Sequence, residues 1–146
     1  MINLPVIEEW IRRLESGEYC QAEGKLRDDS DAMCCLGILE EMGVEQGLAI
    51  CRFDETRRHW EYRDVSDNDP YHWQHDFLTQ AVMEWAGLEN RNPSVKDLHM
   101  EVDDYYTPEE LEEVEEPVEL SELNDSYNRD FSQIAEDIRA EYITAG

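Results

Sequence analysis

The sequence predicts an α+β fold, with four or five helices around a small antiparallel sheet in a single domain spanning 1–146. Three observations predict it. Apolar residues recur at helical spacing near both ends: Ile7, Trp10, Ile11 and Leu14 at the start, Phe131, Ile134, Ala135, Ile138 and Tyr142 at the finish. Between them, 48–53 and 59–63 read as two strands separated by a polar loop. At 146 residues the chain is long enough for one real core, burying roughly 70% of its unfolded surface.

Each element follows from local chemistry. Asn3 caps the first helix, Pro5 sits in the first turn where a missing N–H is tolerated, and Gly17 ends it. Residues 19–26, with Gly24, form a turn-rich connector. Asp28-Asp29-Ser30-Asp31 offers N-cap side chains for a second helix over 32–42, stopped by Gly43. The two strands are joined through 54–58, and 66–70 is a turn cluster. Phe77, Leu78, Ala81, Val82 and Trp85 are spaced for a third helix over 77–85, ended by Gly87. Asn92-Pro93 marks a boundary, and 98–102 reads as a short strand. Thr107, Pro108 and Glu110 start a helix over 107–116, ended by Pro117. Leu120 and Leu123 give a short apolar face, and Asp130 precedes the last helix.

Charge narrows the function classes. The chain carries 37 Asp and Glu against 12 Lys and Arg, a formal net charge of −25 with a pI near 4.2. Direct nucleic-acid binding requires Lys and Arg against phosphates, and docking on an anionic membrane requires the same, so neither is expected. No run of about 18 apolar residues marks a membrane span. The opening MINLPVIEEWIRRL carries acids and lacks an apolar stretch after a basic start, so no secretory signal is expected.

The residues that usually carry chemistry point to no enzyme and no cofactor. Cys20, Cys34, Cys35 and Cys51 contain no C-x-x-C pair, and their expected role is that of small buried hydrophobes. His72 and His75 have H-x-x-H spacing with Asp76 beside them, but spacing supplies no third or fourth ligand, so no metal is assigned. His59 and His99 stand isolated. Neither G-x-S-x-G nor a phosphate-binding loop occurs. Asp28 to Asp31 and 64–69 lack the order of a calcium loop.

Several motifs carry a family resemblance. Trp10, then Leu14-Glu15-Ser16-Gly17-Glu18-Tyr19 with Gln21, Gly24 and Leu26, then Cys34-Cys35-Leu36-Gly37-Ile38-Leu39 form its first part. Val82 to Leu88 (VMEWAGL), Asn92-Pro93, and Glu122-Leu123-Asn124-Asp125 with Phe131, Ile134 and Ala135 form the rest. In these patches, about half the chain, the sequence resembles a group of small, mostly uncharacterised phage and prophage proteins. The resemblance implies a phage origin and a cytoplasmic setting, and supplies no catalytic residues. Between Asn92-Pro93 and Leu123-Asn124-Asp125 this chain is longer and more acidic than the group's pattern.

That expanded stretch holds the most distinctive feature of the sequence. Residues 97–125 contain 13 acids and no Lys or Arg, and lie between core elements as an acidic insertion. Six of the eight residues from 109 to 116 are glutamate: Glu109, Glu110, Glu112, Glu113, Glu115 and Glu116. As a helix they would span roughly 12 Å, over which duplex DNA carries about seven phosphate charges. Asp97, Glu101, Asp103, Asp104, Glu119 and Glu122 extend the field. The expected function is therefore mimicry of DNA charge: a non-enzymatic phage protein that binds and inhibits a basic nucleic-acid-binding host protein, such as a defence nuclease, restriction enzyme or CRISPR effector. The alternative is an accessory protein whose acidic face is merely solvated. It would bind a non-nucleic-acid protein through exposed aromatics, with Trp60, Tyr62, Tyr71, Trp73, Tyr105 and Tyr106 as anchors.

Overall fold

Five apolar side chains on one stripe make the first helix. In α1 (Leu4–Glu15) they are Val6, Ile7, Trp10, Ile11 and Leu14, all buried. At about 2 kcal/mol for each buried side chain, the stripe outweighs the weak intrinsic stability of so short a helix. Trp10 is fully enclosed, and its indole N–H donates to the Cys35 carbonyl at 2.9 Å. Asn3 occupies the N-cap, but its amide donates to the Trp85 carbonyl at 2.9 Å, tying the helix start to a distant element. This computed structural model describes residues 2–69, 71–95, 118–127 and 129–143. Among them are five helices and two two-stranded antiparallel sheets, a single α+β domain. The strand expected over 98–102 and the helix expected over 107–116 lie outside the described residues.

The central element is α2 (Cys35–Glu45), against which α1 and several later elements pack. It is buried on nearly every side, as a helix apolar all round must be. It starts three residues later than the sequence predicts. Met33 is held extended: its N–H donates to the Cys20 carbonyl and its carbonyl accepts from Ala22 N–H, both at 2.8 Å. Asp28 caps its own turn, Oδ1 accepting from the N–H groups of Ser30 and Ala32 at 2.8 and 3.0 Å. Nor does Gly43 stop the helix. A Cβ there would lie 2.2 Å from Val82 Cγ2, so the glycine serves close packing, and the helix runs on to Glu45. Gly47, with φ of 76°, turns the chain out instead.

The hairpin follows. β1 (Ala49–Asp54) pairs antiparallel with β2 (His59–Asp64), Ala49 opposite Asp64 and Asp54 opposite His59. Each strand extends one residue past its expected end. Asp54 Oδ1 closes the loop by accepting from the N–H groups of Thr56 and Arg57 at 2.9 and 3.2 Å. One face, with Phe53 against Trp60 and Tyr62 fully buried, turns to α2, where the Tyr62 hydroxyl donates to Glu41.

α3 (Gln80–Ala86) begins later than the apolar spacing predicts. Leu78 is buried but precedes the helix, its N–H donating to the Arg91 carbonyl at 3.1 Å. Thr79 is the N-cap and is tied elsewhere: Glu40 of α2 accepts from its N–H at 2.7 Å and from its hydroxyl at 3.0 Å. β3 (Ser94–Val95) and β4 (Val118–Glu119) form the second sheet. α4 (Leu120–Asp125) and α5 (Phe131–Tyr142) complete the domain. Asp130 and Gln133 make a reciprocal capping box at the start of α5, which packs along α1. Arg129 meets fully buried Asp137 through two bonds of 2.6 and 2.9 Å. No helix among the described residues is long and apolar enough to cross a membrane.

Candidate functional site

Two short strands clasp the ends of the acidic segment. Ser94 pairs with Glu119 and Val95 with Val118, so the chain leaves β3 and re-enters β4 at neighbouring points. Leu120 N–H donates to the Pro93 carbonyl at 2.8 Å. Asn92 reinforces the clasp, its amide donating to the Glu119 carboxylate and to Ser121 Oγ. From α5, the Tyr142 hydroxyl donates to the Ser94 carbonyl at 3.0 Å. Val95, Leu120 and Leu123, each fully enclosed, anchor this clasp in the core.

Of the predicted site residues, Asp97, Glu101, Asp103, Asp104, Glu109, Glu110, Glu112, Glu113, Glu115 and Glu116 lie outside the described residues. Glu119 is exposed on β4, where it accepts from Asn92, and Glu122 is exposed on α4. Residues 118–125, counted with the insertion on charge alone, belong to the packed body. Asn124 is buried, its Oδ1 accepting from Gln21 at 2.8 Å and its Nδ2 donating to the Ala22 carbonyl at 2.6 Å. Asp125 accepts from Gly24 N–H at 3.0 Å. This acid is a structural bracket.

The other candidates part company in space. His72 and His75 do not share a helix face: His72 Nδ1 lies 2.9 Å from Asp67 Oδ2, whereas His75 stacks on His59 with centroids 4.7 Å apart and planes 3° apart. Cys34 and Cys35 are buried, and burial pushes the Cys34 thiol up to about 12 and the Cys35 thiol well above its usual range. Cys20 is exposed, contrary to the expectation of burial. Among the proposed aromatic anchors, Tyr62 is fully buried and Tyr71 is 90% exposed. Trp60 lies beneath the Arg27 guanidinium, Trp73 is flanked by Arg52 and Arg63, and Tyr105 and Tyr106 lie outside the described residues.

A concentration of polar groups that sequence reasoning passed over sits on the second face of the hairpin. Strand alternation places Arg52 and Asp54 of β1 with His59, Glu61 and Arg63 of β2 on that face. Gln74 exchanges two 2.7 Å backbone bonds with Tyr62 at the edge of β2, and its neighbours join that face, Trp73 against Arg52 and Arg63 and His75 stacked on His59. His59 is 4% exposed and Glu61 5%. A ligating atom from each of Asp54, His59 and Glu61 lies within 4.8 Å of the other two. Three buried side-chain atoms among the described residues have no hydrogen-bond partner: His59 Nε2, Glu61 Oε1 and Arg63 Nε. All three belong to this layer, and each such atom costs about 1–3 kcal/mol. Burial, with His75 beside it, lowers the His59 pKa and favours the neutral imidazole. Register was the available signal: Asp54 closes one strand, His59 opens the next, and Glu61 follows at the strand period.

The described surface also carries a polar groove of about 390 Å³ lined by Asp64, Asp67, His72, Gln74, Thr79 and Arg91, among others. Its carboxylates are engaged within the fold, Asp64 accepting from Ala81 N–H and Asp67 from Asp69 N–H. No curated protein and no solved structure matches the chain. Residues 2–142 match the family described as a domain of unknown function, DUF8296, and with nearly its whole length covered the chain belongs to that family.

Proposed function

We propose that the protein is a non-enzymatic DNA mimic of phage origin, acting in the cytoplasm of an infected or lysogenic cell. Its acidic segment occupies the basic cleft of a host nucleic-acid-binding protein, of the kind found in defence nucleases, restriction enzymes and CRISPR effectors. The observation that carries this reading is a run of 13 acids without one Lys or Arg over 97–125, most of it flanked in the chain by the paired strands β3 and β4. Like charges at this density oppose folding, since neighbouring carboxylates repel one another. They suit a partner with a positive, nucleic-acid-shaped surface, which they attract over long range and with strong salt dependence.

The test is capture of host proteins from lysate at low and high salt, followed by competition with duplex DNA. A basic nucleic-acid-binding protein should be retained at low salt, released by salt and displaced by DNA. Replacing Glu109, Glu110, Glu112 and Glu113 together by Gln should weaken retention roughly 30-fold or more, at about 0.5–1 kcal/mol for each exposed charge pair lost. Undiminished binding by that variant would sink the mimicry reading, and a partner insensitive to DNA would favour a non-nucleic-acid target.

A further inference from the structure

We propose that Asp54, His59 and Glu61 bind one divalent transition-metal ion of the zinc class. The three ligating atoms converge within 4.8 Å from two adjacent strands whose register fixes their spacing. Ligands bound at about 2.1 Å in a tetrahedral set are roughly 3.4 Å apart, so the side chains close inward by at most about 1.4 Å. Two of the three carry a buried polar atom without a hydrogen-bond partner, His59 Nε2 and Glu61 Oε1. A hydrogen-bonded core normally leaves few such atoms, and here they share one face of one hairpin.

The chemistry of the set fits a borderline dication. One imidazole with two carboxylates suits zinc, cobalt or manganese better than calcium or magnesium, which favour all-oxygen shells. Outer contacts already orient the ligands. Asp54 Oδ1 is engaged by two backbone N–H groups, which leaves Oδ2 to bind, and the His59 ring is braced by the stacked His75. A dication bound between them would ligate His59 and Glu61 and at the same time offset the charge of the two neighbouring carboxylates, Asp54 and Glu61.

Charged groups facing the cluster include Arg52, its Nε 3.7 Å from Glu61 Oε1, Arg63 on the same face of β2, and Lys25, which lies near His59. Arg52 is half-exposed and rests on Trp73, with solvent in which to move aside. Three protein ligands leave a fourth position for water or another small donor.

The test uses the whole chain, stripped with chelator and titrated with Co2+ in excess Mg2+, so that the many surface carboxylates are already occupied. One equivalent should bind with visible absorption bands typical of low-symmetry coordination, and Zn2+ should displace it. His59→Gln and Glu61→Gln should each lower affinity at least about 100-fold. Asp54→Asn keeps the oxygen that caps the turn and should lower it at least about 10-fold, while His72→Gln should leave it unchanged. Absence of saturable binding, or binding retained in His59→Gln, overturns the proposal. A variant-free readout guards against misfolding: in the unaltered chain, added Zn2+ should shift the His59 ring nitrogen signals before those of His72, His75 and His99. A first shift at any other histidine overturns it equally.

Discussion

Replacing Glu40 by Gln should raise stability at neutral pH and leave it nearly unchanged in mild acid. Glu40 is fully buried on α2, and burial pushes its carboxyl from the ordinary 4.5 up to about 7, with Asp64 and Glu41 adding to the shift. The bonds from Thr79 N–H and hydroxyl pull the other way and are too weak to restore it. The sign follows from which state holds the proton. Below the unfolded value of 4.5 both states are protonated and no penalty exists. Between there and about 7 the unfolded chain releases the proton first, so stability falls as pH rises. The loss totals about 3 kcal/mol once the folded carboxyl has ionised, at 1.36 kcal/mol per unit. Gln preserves the geometry, accepting from Thr79 N–H and donating to Thr79 Oγ1, but has no proton to lose. Thermal melting of both proteins from about pH 5 to about pH 8 should therefore show the variant pulling ahead by roughly 10 °C. The difference between the two proteins removes the general repulsion of a chain carrying −25, which both share. A gap that stays constant across this range, or narrows, would refute a buried carboxyl with a raised pKa.

Two further substitutions probe packing. Gly43→Ala should cost about 1–3 kcal/mol, because its new methyl meets Val82 Cγ2, and adding Val82→Ala should recover part of that loss in denaturant titrations. Arg129→Met removes the guanidinium facing fully buried Asp137 and should cost about 3–5 kcal/mol, while Arg129→Met with Asp137→Leu should be markedly more stable than the single variant.

Local patterns in the chain account for much of the fold. The stripe of Ile7, Trp10, Ile11 and Leu14, and that of Phe131, Ile134, Ala135 and Ile138, are buried as their spacing predicts. The hairpin falls within one residue of its expected limits, because strand-forming runs and a polar turn are adjacent signals. The errors share one cause. Met33, Leu78 and Gly43 carry helix-forming, helix-continuing or helix-stopping signals that distant partners override: Cys20 and Ala22, Arg91, and Val82 respectively. The function expected from the acidic residues rests on composition, which is legible in any chain. The ten that lie within 97–116 fall outside the described residues, and Glu119 and Glu122 belong to the packed base.

The sequence by itself determined the α+β class, the two amphipathic helices, the hairpin and the location of the charge, all properties of residues within a few positions of one another. Tertiary structure alone decided that Ser94-Val95 and Val118-Glu119 pair to clasp the acidic segment. It also bridged the 73–75 segment to the edge of β2, bringing Trp73 and His75 onto the face where His59 and Glu61 are buried beside Asp54. Helical and strand periods report which side of an element is apolar. They do not report what covers a polar side, and the covering of His59 and Glu61 turns ordinary surface residues into buried polar atoms in need of a partner.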